Sequence, residues 1–172
     1  MTAARPKFVY VTYIASTPEK VFQALTDAKI SEQFWFGFSV NSDWKVGSPF
    51  ALKWNGTTMD SGIVLACEPP HRLAYTWQPE YESMRHERPS RVVFEIEPLN
   101  GQVKLTVTHD DFDEDSKVFD SISGGWPLVL SSLKSMLETG AALAPTFSEE
   151  DMKKIEATCG KSNSDVRNSV HA

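Results

Sequence analysis

Two cysteines in 172 residues are too few for a disulfide framework. They stand far apart, at Cys67 and Cys159, outside any CxxC or Cys/His metal spacing. The chain therefore reads as one that folds in a reducing compartment, the cytoplasm, with no disulfide, metal or cofactor to hold it. Basic runs interleaved with aromatics are missing, which argues against a nucleic-acid partner. No apolar run approaches the roughly 18 residues that signal a membrane span. The opening "MTAARPKFVYVTY" has neither the continuous apolar stretch nor the small-residue cleavage site of a secretory signal. GxSxG, HExxH, a Walker loop and GxGxxG in a strand-to-helix context are all absent. No catalytic residue is assigned on sequence grounds, and an enzyme would have to assemble its site in space. There are no internal repeats.

What is present is an ordinary globular composition, 41% hydrophobic and 23% charged, with a net charge of −6 that favours solubility. A chain of this length buries roughly 70% of its unfolded surface, enough for a self-sufficient core. "KFVYVTYIA" is β-branched and aromatic and reads as a strand with Phe8, Tyr10, Thr12 and Ile14 on one face. "STPEKVFQALTD" reads as a short helix: Ser16 or Thr17 caps it, Pro18 suits its first turn and Glu19 complements its positive end. "AKISEQFWFGF" continues as a second short helix that Gly37 ends.

From Ser39 to Asp110 the period is two. Phe50, Leu52 and Trp54 share a face, as do Leu73, Tyr75 and Trp77, then Val92, Phe94 and Ile96, then Val103, Leu105, Val107 and His109. Asn100-Gly101 marks a tight type I′ hairpin. Strands joined by turns without helical crossovers make an antiparallel sheet. After an acidic loop, "DDFDEDSKVFDS", apolar residues recur at three and four from Ile122 to Leu143, predicting a helix from about Ser121 or Pro127 to Leu143. "FSEEDMKKIEATCG" reads as a small helix at about 149–159 capped by Ser148. The polar tail after it reads as disordered. The predicted fold is α+β, a curved antiparallel sheet of six to seven strands around one long C-terminal helix. A domain over 1–145 is followed by an extension over 146–172.

That order resembles the helix-grip fold of the START and birch-pollen-allergen (SRPBCC) superfamily. "STPEKVFQALTD", "DWKVGSPFALKW", "GIVLACEPPHRLAYTW", and "VVFEIEPLNGQVKLTVTHDDF" with "GGWPLVLSSLKSMLE" narrow it. Together they resemble the domain family of the activator of heat-shock-chaperone ATPase, over roughly Lys7 to Leu143. The chain departs from that family's pattern at Gly47-Ser48, where two glycines are common, and in the tail after Pro145.

The resemblance implies a space between the long helix and the sheet. Tyr10, Trp35, Phe36, Trp54, Tyr75, Trp77, Phe94, His109, Trp126 and Leu130 are the candidate ligand-binding residues there. Large rings with few polar groups suit an apolar small molecule; the bland alternative is that they simply fill the core. Gly124 and Gly125 lack a Cβ, so other backbone or a ligand could approach closely at a helix start that flanks the cavity mouth; Pro127, without an N–H, is tolerated near such a start or at a kink. His109 is a polar anchor, a general base or a satisfied structural residue. Asp111, Asp113 and Asp115 alternate like a calcium loop, but Ser116 stands where the glycine belongs and Ile122 where the glutamate belongs. The leading expectation is non-catalytic binding of an apolar small molecule by a monomer or homodimer. The alternatives are a co-chaperone whose partner is a heat-shock chaperone, and a cyclase- or hydrolase-like enzyme on an aromatic substrate.

Overall fold

The computed structural model describes residues 5–159. Strand β1 (Phe8–Ile14) leads into helices α1 (Pro18–Thr26) and α2 (Ala28–Phe34). Six strands follow: β2 (Phe38–Ser42), β3 (Pro49–Trp54), β4 (Thr57–Glu68), β5 (Arg72–Pro79), β6 (Ser90–Leu99) and β7 (Gln102–Asp110). The long helix α3 (Lys117–Thr139) and the short α4 (Glu149–Glu156) complete the order. The sheet runs β1-β7-β6-β5-β4-β3-β2, antiparallel throughout. Its edges are thus β1 and β2, the two strands that α1 and α2 connect, and β1 pairs with β7 alone. This is the α+β helix-grip architecture that the sequence predicts.

Local chemistry explains the short elements. Thr17, not Ser16, caps α1 by accepting the Lys20 N–H, and Asp27 caps α2 by accepting the Ile30 N–H at 2.9 Å. Asn100 and Gly101 both take positive φ, 48° and 79°, as a type I′ turn demands. Gly62, inside β4, meets a different requirement. A Cβ there would lie 1.9 Å from the Thr76 carbonyl oxygen on β5, so only glycine lets the two backbones close.

The long helix starts earlier than its apolar period suggests. Ser116 accepts the Phe119 N–H at 3.1 Å, and Asp120 sits in the first turn. The buried carboxylate of Glu87 then accepts both the Ser116 hydroxyl and the Lys117 N–H, the latter at 3.0 Å. Gly124, Gly125 and Pro127 therefore lie in the helix interior, not at its start. Pro127 cannot donate to the Ser123 carbonyl; the Ser123 hydroxyl meanwhile donates to the Phe119 carbonyl at 2.6 Å. The helix ends at Gly140, whose φ of 84° is the left-handed cap. Leu143 falls beyond it, its N–H bonded to the Ser132 hydroxyl.

One face of α3 lies across the concave side of the sheet. Val118, Ile122, Trp126, Val129, Leu130 and Leu133 are buried against Ile14, Phe94, Val107 and their neighbours. Helix α4 docks on the same body. Met152 is buried, Phe147 meets Phe36 edge-on with centroids 5.9 Å apart, and Glu156 accepts the Thr57 hydroxyl at 2.6 Å. The tail read as disordered lies outside the described residues.

Candidate functional site

The concave face does not close completely over α3. A cavity of about 170 Å³ remains between the helix, α2, and the β3–β5 end of the sheet. Its wall is apolar: Trp35 from α2, Phe38 and Leu52 from β2 and β3, Trp77 and Pro79 from β5, and Val118, Ile122, Trp126 and Val129 from α3. It opens into a groove of about 710 Å³ bounded by Tyr81–Met84, α4 and the same face of α3. Phe38, Tyr81, Met84, Ser121 and Gly125 belong to both spaces and form the passage between them.

Of the two expectations for the helix glycines, open space beside the cavity and close backbone approach, the structure has the first at Gly125. A Cβ at Gly124 or Gly125 would meet nothing within 4 Å, so neither permits a close backbone approach. Gly125 leaves room: its missing side chain is part of the passage. A glycine inside a helix costs about 1 kcal/mol relative to alanine. That cost is incurred where no packing requires it.

Of the ten candidate residues, Trp35, Trp77 and Trp126 line the cavity. Their rings sit together, with centroids 6.4 Å apart for Trp35 and Trp77, 5.4 Å for Trp35 and Trp126, and 5.7 Å for Trp77 and Trp126. Tyr75, Phe94 and Leu130 are packed in the closed core outside the lining. Tyr75 stacks on Phe50 at 4.0 Å, and Phe94 meets Trp126 edge-on from behind. Phe36 and Trp54 are half-buried and outside the lining, Phe36 being engaged by Phe147. Tyr10 lies half-buried on the β1 edge, also outside the lining.

His109 is fully buried and lies behind Trp126. The Trp126 indole N–H donates to its Nδ1 at 3.1 Å. Its Nε2 therefore carries the proton and faces the Ser90 hydroxyl at 2.7 Å, and that hydroxyl lies 3.3 Å from the Trp77 carbonyl. Burial pushes its pKa down to about 3, with Asp110 opposing weakly, so the imidazole stays neutral. Both nitrogens are used and neither reaches the cavity. His109 is the satisfied structural residue among the three readings, and it fixes Trp126 against β5.

Two residues that the sequence reading passed over supply the polar groups of the cavity. Asp60, on β4, is 3% exposed and lines it. Burial raises its pKa well above the usual carboxylate range, the neighbouring Glu80 charge adds to the rise, and a hydrogen bond from Tyr81 offsets part of it. Burial also raises the Tyr81 hydroxyl, with the Asp60 charge second. Cys159, at the end of α4, is pushed up to about 11 by burial and then by Asp60; its Sγ lies 3.7 Å from the Met59 sulfur. Parity could have found Asp60, because it shares a strand face with Gly62 and the buried Val64.

The acidic loop is committed elsewhere. Arg88 pairs with Asp111, Arg5 lies 3.6 Å from the same carboxylate, and Asp113 accepts the Arg88 N–H. Among the described residues, no helix is long and apolar enough to cross a membrane.

Residues 15–138 match the model of the family described as "Activator of Hsp90 ATPase homolog 1-like protein". The chain belongs to this family. Several solved structures share its fold at low identity. The Aha1 dimer from Colwellia psychrerythraea is 22% identical, with a TM-score of 0.65 over 78% of this chain and 98% of that one. An HSP90 activator from Plasmodium falciparum is also 22% identical, with a TM-score of 0.64 over 76% and 95%. CalU16 from Micromonospora echinospora, at 22% identity and a TM-score of 0.63, covers more of this chain, 91%, and 84% of its own length. None of the curated proteins matches the sequence.

Proposed function

We propose that this domain binds a small, largely apolar molecule in the cavity between α3 and the sheet, without catalysis. The observation that carries the reading is the side-chain-free passage at Gly125 leading to a space walled by three indoles. An apolar cavity of about 150 Å³ is known to hold a benzene-sized guest, so 170 Å³ suits one ring with a small substituent. Burial of the guest's surface, about 25 cal/mol per Å² before the costs of association, supplies the affinity. The test is tryptophan fluorescence titrated with single-ring aromatics, on the native protein and on Gly125→Leu. A saturable change in the native protein that vanishes in the folded variant supports the reading. Equal responses in both remove it.

Membership of a family described by a chaperone-ATPase activator favours a second reading, a co-chaperone that docks on a heat-shock chaperone. The outer sheet face would carry that contact; Lys104 and Glu97 are paired across β6 and β7 there, and Arg72 lies 3.6 Å from Glu95. Unchanged chaperone ATPase at a saturating excess of this protein excludes it. An acid–base role for His109 on an aromatic substrate has little support, because its two nitrogens are occupied and it does not border the cavity.

A further inference from the structure

Resting on the small-molecule reading, we infer that the cavity selects a ligand carrying a protonated amine on its apolar body, with Asp60 as the anion that receives it. Asp60 is an expensive residue in this position. It is buried, its cross-strand partners are Leu52 and Pro79, it lines the same cavity as the three indoles, and none of the ion pairs among the described residues includes it. Among the described residues, no lysine, arginine or histidine lines the cavity. A second carboxylate, Glu80, stands close enough to repel it, held by the Ser61 hydroxyl at 2.6 Å. Tyr81 hydrogen-bonds to Asp60, but a neutral hydroxyl cannot offset the charge Asp60 takes on when it ionises, and burial with Glu80 holds that ionisation back.

The rest of the wall has the matching character. Indole faces carry negative quadrupole potential and attract cations, tryptophan most strongly, and the attraction grows when water is excluded. Trp35, Trp77 and Trp126 lie on the same cavity as Asp60. One buried carboxyl group and three indoles, with no cationic side chain among the described lining residues, make a site whose missing partner is positive. A neutral hydrocarbon would occupy the volume but give the Asp60 carboxyl no partner beyond Tyr81. An alcohol would give it one hydrogen bond. An ammonium group gives it a charge partner as well.

Three probes of eight non-hydrogen atoms each separate these cases: ethylbenzene, benzyl alcohol and benzylamine. Each is titrated by calorimetry at neutral pH into the full-length protein, Asp60→Asn and Glu80→Gln. The expected result is benzylamine bound at least tenfold more tightly than ethylbenzene by the native protein. In Asp60→Asn that preference disappears, while ethylbenzene binding changes less than twofold; Glu80→Gln lowers the preference only in part. Ethylbenzene bound as tightly as benzylamine, or a benzylamine preference that survives Asp60→Asn, overturns the inference and leaves the apolar cavity standing. Failure of all three probes to bind overturns both.

Discussion

Two buried groups should pull the pH dependence of stability in opposite directions. His109 is neutral in the fold, with its pKa held down to about 3, whereas an unfolded histidine titrates near 6.5. As pH falls below about 6.5 the unfolded chain takes up a proton that the folded chain refuses, so stability drops. One proton is worth about 1.4 kcal/mol per pH unit, and from pH 7 to pH 5 the loss comes to about 2 kcal/mol. Asp60 acts the other way. Its folded pKa lies well above that of the unfolded chain, so its contribution is fully present below about pH 4 and is lost as pH rises toward the folded value. The slope is again up to about 1.4 kcal/mol per pH unit.

Two substitutions isolate the effects, since all other groups titrate alike in variant and parent. His109→Gln keeps an acceptor and a donor but cannot titrate; Asp60→Asn keeps the shape and loses the charge. Urea unfolding followed by helical circular dichroism between pH 5 and pH 7 gives the stabilities. Relative to His109→Gln, the native protein should lose about 2 kcal/mol on going from pH 7 to pH 5. Relative to Asp60→Asn, it should gain over the same interval, and Asp60→Asn should be the more stable protein at pH 7. Parallel curves for His109→Gln and the native protein would falsify the neutral, enclosed imidazole. Parallel curves for Asp60→Asn would mean that Asp60 ionises as an exposed carboxylate does.

Other substitutions test the packing. Gly62→Ala should cost at least about 2 kcal/mol or abolish folding, because a Cβ cannot coexist with the Thr76 carbonyl; thermal melts decide it, and a Tm within a degree of the parent refutes the close approach. Gly125→Ala should do the reverse and add about 0.5–1 kcal/mol, since the methyl group meets only open space and alanine is the better helix former; a lower urea midpoint counts against this. Met152→Asp should detach α4, seen as faster tryptic cleavage at Lys153 and Lys154 with the sheet's melting temperature little changed; unaltered cleavage would mean that Met152 does not hold the helix.

The fold was legible because its signals are local. Period-two runs, the Asn100-Gly101 turn and the caps at Thr17, Asp27 and Ser148 each act within a few residues. The start of α3 was not legible for the opposite reason. Its first turn is satisfied by Glu87, some 30 residues away in sequence, and Ser116 is hidden in an acidic run that looks like loop. With that capping unseen, Gly124-Gly125-Trp126-Pro127 mimics a helix beginning. The cavity was half legible. The tryptophans stand out by size, but the sequence does not reveal that His109 is spent on Trp126, nor that Asp60 borders apolar space while Tyr75 and Phe94 fill theirs.

The three clustered indoles have a spectroscopic consequence. At centroid separations of 5.4–6.4 Å their electronic transitions couple, so excitation is shared and cannot be assigned to a single ring. The ring planes of Trp35 and Trp77 are nearly parallel, at 11°. Trp126 is tilted by 58° and 57° against the other two, which is the arrangement that produces a bisignate exciton band. The handedness and amplitude of that band depend on how the three rings are set against one another, the inclination of Trp126 included. The folded protein therefore carries an intrinsic optical goniometer at its cavity wall, readable without any label.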